Sequence, residues 1–318
     1  MIIDELHIAD DFLTEWNNNL PYVTAHTSGS TGKPKEIRLL KSDMIKSAEA
    51  TCRFFGIDSR STLLLPLSPD YIAGKMMIVR ALVSDADLYI EKASSSPLKK
   101  DYGTSIDLLP IVPSQIGPIL ENPFLSRVKN LLIGGGTIPP DMENAIVDCG
   151  VNAFASYGMT ETCSHIALRN VASDNGIFTT VPGIEIDTDT RGCLVLKRHP
   201  FSFGSLATND IIELLDSRHF RWRGRYDNVI NSGGVKIHPE ECERLIADAI
   251  PYPFYIIGRP HSVWGEEAVL YVENEHPDRE FLFSLMRSRL PRYNVPHDIV
   301  PCRQFERTPS QKIKRLLL

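Results

Sequence analysis

Residues 27–35 read Thr27-Ser28-Gly29-Ser30-Thr31-Gly32-Lys33-Pro34-Lys35. Small residues let a backbone turn closely around a ligand, and the consecutive N–H groups of such a turn can cradle phosphate oxygens. Four hydroxyls and two lysines add donors and positive charge. The stretch is not a Walker A loop, which needs a glycine five positions before its Gly-Lys pair and Ser or Thr after the lysine; Thr27 and Pro34 stand there instead. A polar surface turn is the plainer reading, and a phosphate-binding loop is the one its composition favours.

Outward from this loop, short apolar runs alternate with helical patterns. Ile45, Ala48, Cys52 and Phe55 recur at helical spacing after Ser42, which can serve as N-cap. Leu63-Leu64-Leu65, Val128 to Ile133 and Val151 to Ala155 read as buried strands, and a helix over Asp141 to Asp148 stops at Gly150. Strand, helix and strand in this order predict an α/β layered fold. From Phe178 onward, Gly183, Gly192, Gly204 and Gly224 punctuate short segments that read as small antiparallel strands. The last ninety or so residues predict a second α/β unit. Its helices fall at Pro239 to Ala249 and Asp278 to Leu290, its strands near Phe254 to Ile257 and Ala268 to Val272. The boundary is placed near Gly224 to Asp227, giving a large domain over 1–225 and a small one over 226–318.

Composition narrows the function classes. The 318 residues carry 34 Lys and Arg against 40 Asp and Glu, a formal charge of -6, so no basic excess points to a nucleic-acid partner or an anionic membrane. Six cysteines form no CxxC pair, which fits buried thiols in a reducing compartment. The first 20 residues carry several acids and lack the basic and apolar regions of a signal peptide, and the apolar runs fall short of a membrane span. The expectation is a cytoplasmic protein with no membrane insertion.

Three further segments make the glycine-rich loop specific. They are Ser156-Tyr157-Gly158-Met159-Thr160-Glu161-Thr162, Gly224-Arg225-Tyr226-Asp227-Asn228, and Thr308-Pro309-Ser310-Gln311-Lys312-Ile313-Lys314-Arg315. In this order the four segments resemble the adenylate-forming (AMP-binding) superfamily, its acyl-CoA synthetase branch above all. The resemblance runs from about Thr24 to Arg315. Asp227 to Glu241 and Ser68 to Met77 are most similar to the o-succinylbenzoate–CoA ligases of menaquinone synthesis.

The resemblance implies a fold, a reaction and a set of roles. The fold would be a large N-terminal domain of layered sheets and helices with a small mobile C-terminal domain. A carboxylate would attack the α-phosphorus of ATP to give an acyl-adenylate and pyrophosphate, and the thiol of coenzyme A would then displace AMP. Thr27, Ser28, Gly29, Ser30, Thr31, Gly32 and Lys33 would cover the β- and γ-phosphates. Thr160 would contact the α-phosphate, and Glu161 would hold Mg²⁺ together with phosphate oxygens, as suits a hard cation. Tyr157 would lie against the adenine, Asp210 and Arg225 would take the ribose, and Gly135 in the Gly134-Gly135-Gly136 run would let backbone approach the base or the acid. Asp227 would be the hinge about which the small domain turns. Lys312 would enter for adenylation, and Gly233 and Gly234 would admit the pantetheine arm for thioester formation.

The chain departs from the pattern at several places. Asn209 replaces the usual glycine between Thr208 and Asp210, and Ser310-Gln311 replaces Asn-Gly before Lys312. Asn tolerates unusual dihedrals, so the change at 209 reads as mild. An acid with a second carboxylate needs a positive or donor-rich contact, for which Lys75 is the first candidate, with His165 or Arg169 able to do the same. Only 26 residues precede Thr27. That is far fewer than typical relatives have, so much of the usual first subdomain is expected to be missing, and a homodimer is one way to cover the face it leaves. Other readings stay open: a synthetase for a different acid, an enzyme loading a carrier protein, or a noncatalytic nucleotide-binding homologue.

Overall fold

The computed structural model describes residues 1–26, 36–308 and 313–317. From the N-terminus run β1 (Ile2–Ile3), α1 (Asp10–Asn17), β2 (Tyr22–His26), β3 (Glu36–Leu40), α2 (Lys41–Phe55), β4 (Thr62–Leu65), α3 (Ile72–Ser84) and β5 (Asp87–Ile90). Next come β6 (Leu109–Ile111), α4 (Ile116–Leu120), β7 (Leu131–Ile133), α5 (Pro140–Cys149), β8 (Ala153–Gly158), β9 (His165–Asn170) and β10 (Ile177–Thr180). Four strands follow: β11 (Glu185–Thr188), β12 (Cys193–Arg198), β13 (Leu206–Leu214) and β14 (His219–Arg225). The remainder holds β15 (Ile230–Ser232), β16 (Val235–Ile237), α6 (Pro239–Ile246), β17 (Phe254–His261), β18 (Gly265–Val272), α7 (Arg279–Arg289) and β19 (Asp298–Pro301).

One nine-stranded sheet, ordered β11-β12-β13-β14-β10-β9-β8-β7-β6, dominates the first 225 residues. Its β6, β7 and β8 are parallel, and the pairings from β8 onward are antiparallel. The change of texture read at Phe178 is therefore a change of strand direction inside a single sheet. A parallel trio, β1-β5-β4, lies beside it and is bridged to it at Leu63 and Leu108. Apolar side chains of α2 and α3, among them Met44, Ala48, Met76, Met77 and Ile78, bury fully against β4 and β5. Each fully buried residue of this size contributes about 1.5–3 kcal/mol by leaving water.

Boundaries differ from the sequence reading in small ways with identifiable causes. Ser42 is not the N-cap of α2. Leu40, still extended at φ -67° and ψ 131°, pairs with Tyr22 and passes straight into the helix, so strand pairing sets the start and no side chain caps it. The helix stops at Gly56, whose φ of 66° is left-handed. Val128 lies outside β7 and makes only an isolated bridge to Ile106, because the next two side chains, Lys129 and Asn130, turn back to Asp107. The strand expected at Val151 begins at Ala153, Asn152 being held by Asn130 and Asn170. Asp278 does cap α7, accepting a 3.0 Å bond from the Phe281 N–H.

Beyond the turn at Tyr226–Asn228, the sheet β16-β15-β18-β17 with β19 beside β18 is covered on both faces. Ile237, Cys242, Ile246, Leu270, Leu282 and Met286 fill one side; Tyr255, Tyr271, Cys302 and Phe305 fill the other.

Candidate functional site

The loops after β7 and β8 open at the carboxyl ends of parallel strands, where α/β sheets commonly bind ligands. After β7, Gly135 has φ 84°, and a Cβ on Gly134 would come within 2.7 Å of Ser156 Oγ. After β8, the chain tightens into a short 3₁₀ turn, Thr160–Thr162. The Thr162 hydroxyl holds it by donating to the Met159 carbonyl at 2.9 Å and accepting from the Met159 N–H at 3.1 Å. Gly158 is required there, since a Cβ would lie 2.4 Å from the Ser164 carbonyl oxygen. The turn packs against β3. The β2–β3 hairpin runs in register from Tyr22 and Leu40 to His26 and Glu36, so residues 27–35 connect its two strands.

Thr160 is half-buried at the head of that turn and Glu161 is exposed, with no partner among the described residues. One free carboxylate is a fitting donor set for Mg²⁺, which keeps most of its shell as water and phosphate oxygens.

Asp210 is the polar centre of the β13–β14 region. It is 7% exposed and accepts from the Tyr157 hydroxyl at 2.9 Å and from Trp222 Nε1 at 3.2 Å. Arg225, its cross-strand neighbour, stands 3.6 Å away and also donates to Asp227 at 3.2 Å. Burial first, and then the Asp210 carboxylate, push the Tyr157 hydroxyl well above the usual phenol range. The Tyr157 ring meets Phe220 edge-on at 5.2 Å and Phe178 at 6.0 Å. The structure thus joins Tyr157, Asp210, Arg225 and Asp227 into one connected group. Trp222 was not singled out from sequence, though an indole N–H inside an otherwise charged Arg221-Trp222-Arg223 run needs an acceptor and could have drawn attention.

The expected contacts for a second carboxylate fare less well. Lys75 is buried on α3, but its ammonium is 3.3 Å from Glu15 and 4.7 Å above the Phe12 ring, so it ties α3 to α1 instead of standing free. His165 is buried too, with Nε2 3.1 Å from Thr51 Oγ1 and Nδ1 3.3 Å from Ser164 Oγ. Burial, then the nearby Arg80, hold it well below the usual histidine range, so it is neutral and offers no cation. Arg169 is paired with Glu143.

Arg80, which the sequence reading passed over, lies beside His165 and Ser164. It is 2% exposed, one turn and a half along α3 from Lys75. Its Nη2 donates to Ser164 Oγ at 2.6 Å, its Nε finds no partner, and no carboxylate pairs with it among the described residues. Burial pulls the guanidinium down to about 10, which leaves it charged at neutral pH. An arginine interrupting the apolar run Met76 to Leu82 was the sequence signal.

Gly233 and Gly234, at φ 56° and 86°, form the two-residue turn of the β15–β16 hairpin. The Gly233 N–H donates to the Trp264 carbonyl at 2.9 Å. Residues Thr27 to Lys33 and Lys312 lie outside the described residues. The flanks of the latter are anchored: Arg307 and Ile313 bridge, Glu273 takes Arg307 at 2.7 and 2.8 Å, and Glu243 takes Arg315 at 2.6 Å through both oxygens. Lys314 pairs with Glu306 at 3.3 Å. No helix among the described residues is long and apolar enough to cross a membrane.

Curated relatives include the 2-succinylbenzoate–CoA ligase of Enterococcus faecalis, 26% identical over 91% of this chain and 67% of that protein. That of Haemophilus influenzae is 25% identical over 87% and 65%. The chain thus spans about two thirds of the length of these relatives. Among solved structures, an AMP-forming acyl-CoA synthetase/AMP-acid ligase II-like protein from Dyadobacter fermentans is 33% identical with a TM-score of 0.65, over 96% of this chain and 91% of that one. The Bacillus subtilis o-succinylbenzoate CoA synthetase, solved with its acyl-adenylate intermediate, shares the fold at 22% identity and a TM-score of 0.80, over 92% and 67%. A family profile described as AMP-binding enzyme matches residues 9–192, and the chain belongs to that family of adenylate-forming ligases.

Proposed function

We propose that the chain is an ATP-dependent acid–thiol ligase that converts o-succinylbenzoate to its coenzyme A thioester through an acyl-adenylate. The observation that carries the choice of acid is Arg80. Among the described residues, this deeply buried guanidinium has one hydroxyl partner and no carboxylate, and so lacks there the counter-charge that buried arginines ordinarily have. The carboxylate of a dicarboxylic acid that does not react supplies that charge, received by a fork of N–H donors beside Ser164. The Enterococcus and Haemophilus relatives, named as ligases of this acid, point the same way.

The chemistry assigned to the remaining residues is mainly positioning and charge stabilisation. The reacting carboxylate oxygen attacks the α-phosphorus and pyrophosphate leaves, drawn by the N–H groups and Lys33 of the 27–35 loop. Thr160 contacts the α-phosphate, and Lys312 bridges it to the carboxylate. Glu161 would hold Mg²⁺, whose charge would neutralise the phosphate oxygens. Asp210 receives the ribose hydroxyls, with Arg225 beside it and Tyr157 along the adenine, while Gly135 leaves room for the acid. The small unit from residue 226 onward turns about Asp227 between the two half-reactions, and Gly233 and Gly234 face the pantetheine in the second. The thiolate then attacks the acyl carbon and AMP departs.

Pyrophosphate release with ATP, Mg²⁺ and a panel of o-succinylbenzoate, benzoate, succinate and short fatty acids tests the reading. Release confined to o-succinylbenzoate supports it; equal release with monocarboxylic acids overturns the dicarboxylate assignment.

A further inference from the structure

Asn209 stands between Thr208 and Asp210, where the family resemblance leads one to expect glycine. Asn209 does not occupy a left-handed conformation, since its φ is not positive; it lies in β13 where the register against β12 shifts between Ala207 and Ile211. Its side chain is engaged at both ends. The amide nitrogen donates to Asp227 at 3.1 and 3.3 Å, and the amide oxygen accepts from Arg191 Nη1 at 2.8 Å. Arg191 is in turn fixed by Asp189 at 2.7 Å and by the Thr208 carbonyl at 3.0 Å, and it lies 5.1 Å above the ring of Tyr226.

We propose that Asn209 and Arg191 form a clasp by which the large sheet grips Tyr226 and Asp227, so that Asn209 is a positioning residue that biases the arrangement of the C-terminal unit. The grips start in the β11–β12 turn and on β13 and end on Tyr226 and Asp227, the first two residues after β14. Arg225, on the neighbouring strand of the same sheet, adds a third contact to the same carboxylate at 3.2 Å. Glycine at 209 has no donor and leaves Asp227 without this restraint. The inference rests on the proposal that Asp227 is the hinge; it does not depend on which acid is used.

A donor to a carboxylate in a half-exposed setting shifts a two-state population by about fivefold. Fluorophores on Cys149, the exposed native cysteine, and on an introduced cysteine at the exposed Glu280 report the distance between the parts. Asn209→Gly and Asn209→Asp are expected to move the balance of distances by about fivefold toward the alternative arrangement. The swap Asn209→Asp/Asp227→Asn reverses donor and acceptor and is expected to restore the original balance. Rates of pyrophosphate release and of thioester formation from supplied acyl-adenylate should then shift in opposite directions in the single variants. An unaltered distance distribution in all three proteins, or a swap that fails to restore it, overturns the clasp. Because the distances need no turnover, a protein that releases no pyrophosphate counts against the functional reading and leaves the clasp to be judged on distance alone.

Discussion

Arg80 and Ser164, 84 residues apart in sequence, are joined by a 2.6 Å hydrogen bond from the guanidinium Nη2 to the hydroxyl oxygen. The bond ties α3 to the segment just after the Thr160–Thr162 turn, so a buried cation with no carboxylate partner among the described residues is held four residues past Thr160. The packing of α3 makes this possible. Nearly every residue from Gly74 to Ala81 is buried, so a charge placed on that helix is desolvated whichever way it faces.

Replacing Arg80 by methionine separates binding from stability. A charge-assisted hydrogen bond to a buried group is worth about 1.5–3 kcal/mol, so Arg80→Met should raise KM for o-succinylbenzoate by roughly 10- to 100-fold. KM for ATP should stay within about threefold. The folded protein should be as stable as before or more so, since an uncompensated buried charge has been removed. Unchanged KM for the acid would remove the anchor from the account.

Tyr157 and Asp210 make a graded pair. Asp210→Asn removes the carboxylate proposed to receive the ribose hydroxyls and should weaken ATP binding by roughly tenfold or more. Tyr157→Phe keeps the ring against Phe220 and deletes only the hydroxyl donor, costing about 1 kcal/mol of stability and changing ATP affinity by less than about threefold. Calorimetric titration of both variants with Mg-ATP checks the order; equal losses would place Tyr157 and Asp210 in a single structural unit.

His165 gives the pH prediction. Its folded pKa lies well below 6.5 because of burial and then Arg80, whereas the unfolded chain protonates near 6.5. Below that pH the unfolded state binds the extra proton, so stability falls as pH drops from about 6.5, by at most about 1.4 kcal/mol per pH unit for this group. The Tm of wild type should drop between pH 7.5 and 5.5 by more than that of His165→Asn. Parallel slopes would show that another group carries the acid sensitivity.

The lysine near the C-terminus separates the half-reactions. Lys312→Ala should lose adenylation by two orders of magnitude or more yet keep thioester formation from supplied acyl-adenylate. Lys314→Ala should remain within about twofold of wild type in both, its ammonium being spent on Glu306. Equal loss of both half-reactions in the first variant would contradict the two-arrangement scheme.

Local signals were legible where one residue type decides the geometry. Gly56 and Gly150 end helices because a residue without Cβ takes the left-handed backbone, and the Asp278 carboxylate begins one by capping it. The α/β layering followed from apolar runs at Leu63–Leu65 and Leu131–Ile133. Pairing between distant segments left no local trace. The start of α2 depends on Leu40 meeting Tyr22, and the unity of the nine-stranded sheet depends on β10 meeting β14. The same holds for the site. Motif positions such as Thr160, Glu161 and Asp210 could be named from sequence, while the engagement of Lys75 by Glu15 and the isolation of Arg80 arise from helix packing across 60 and 84 residues.

The most direct test of the account is mass spectrometry of the products formed from o-succinylbenzoate, ATP and Mg²⁺, with and without coenzyme A. The account predicts o-succinylbenzoyl-adenylate in the absence of coenzyme A and o-succinylbenzoyl-CoA with AMP in its presence. A folded protein that binds ATP and yields neither product would contradict it.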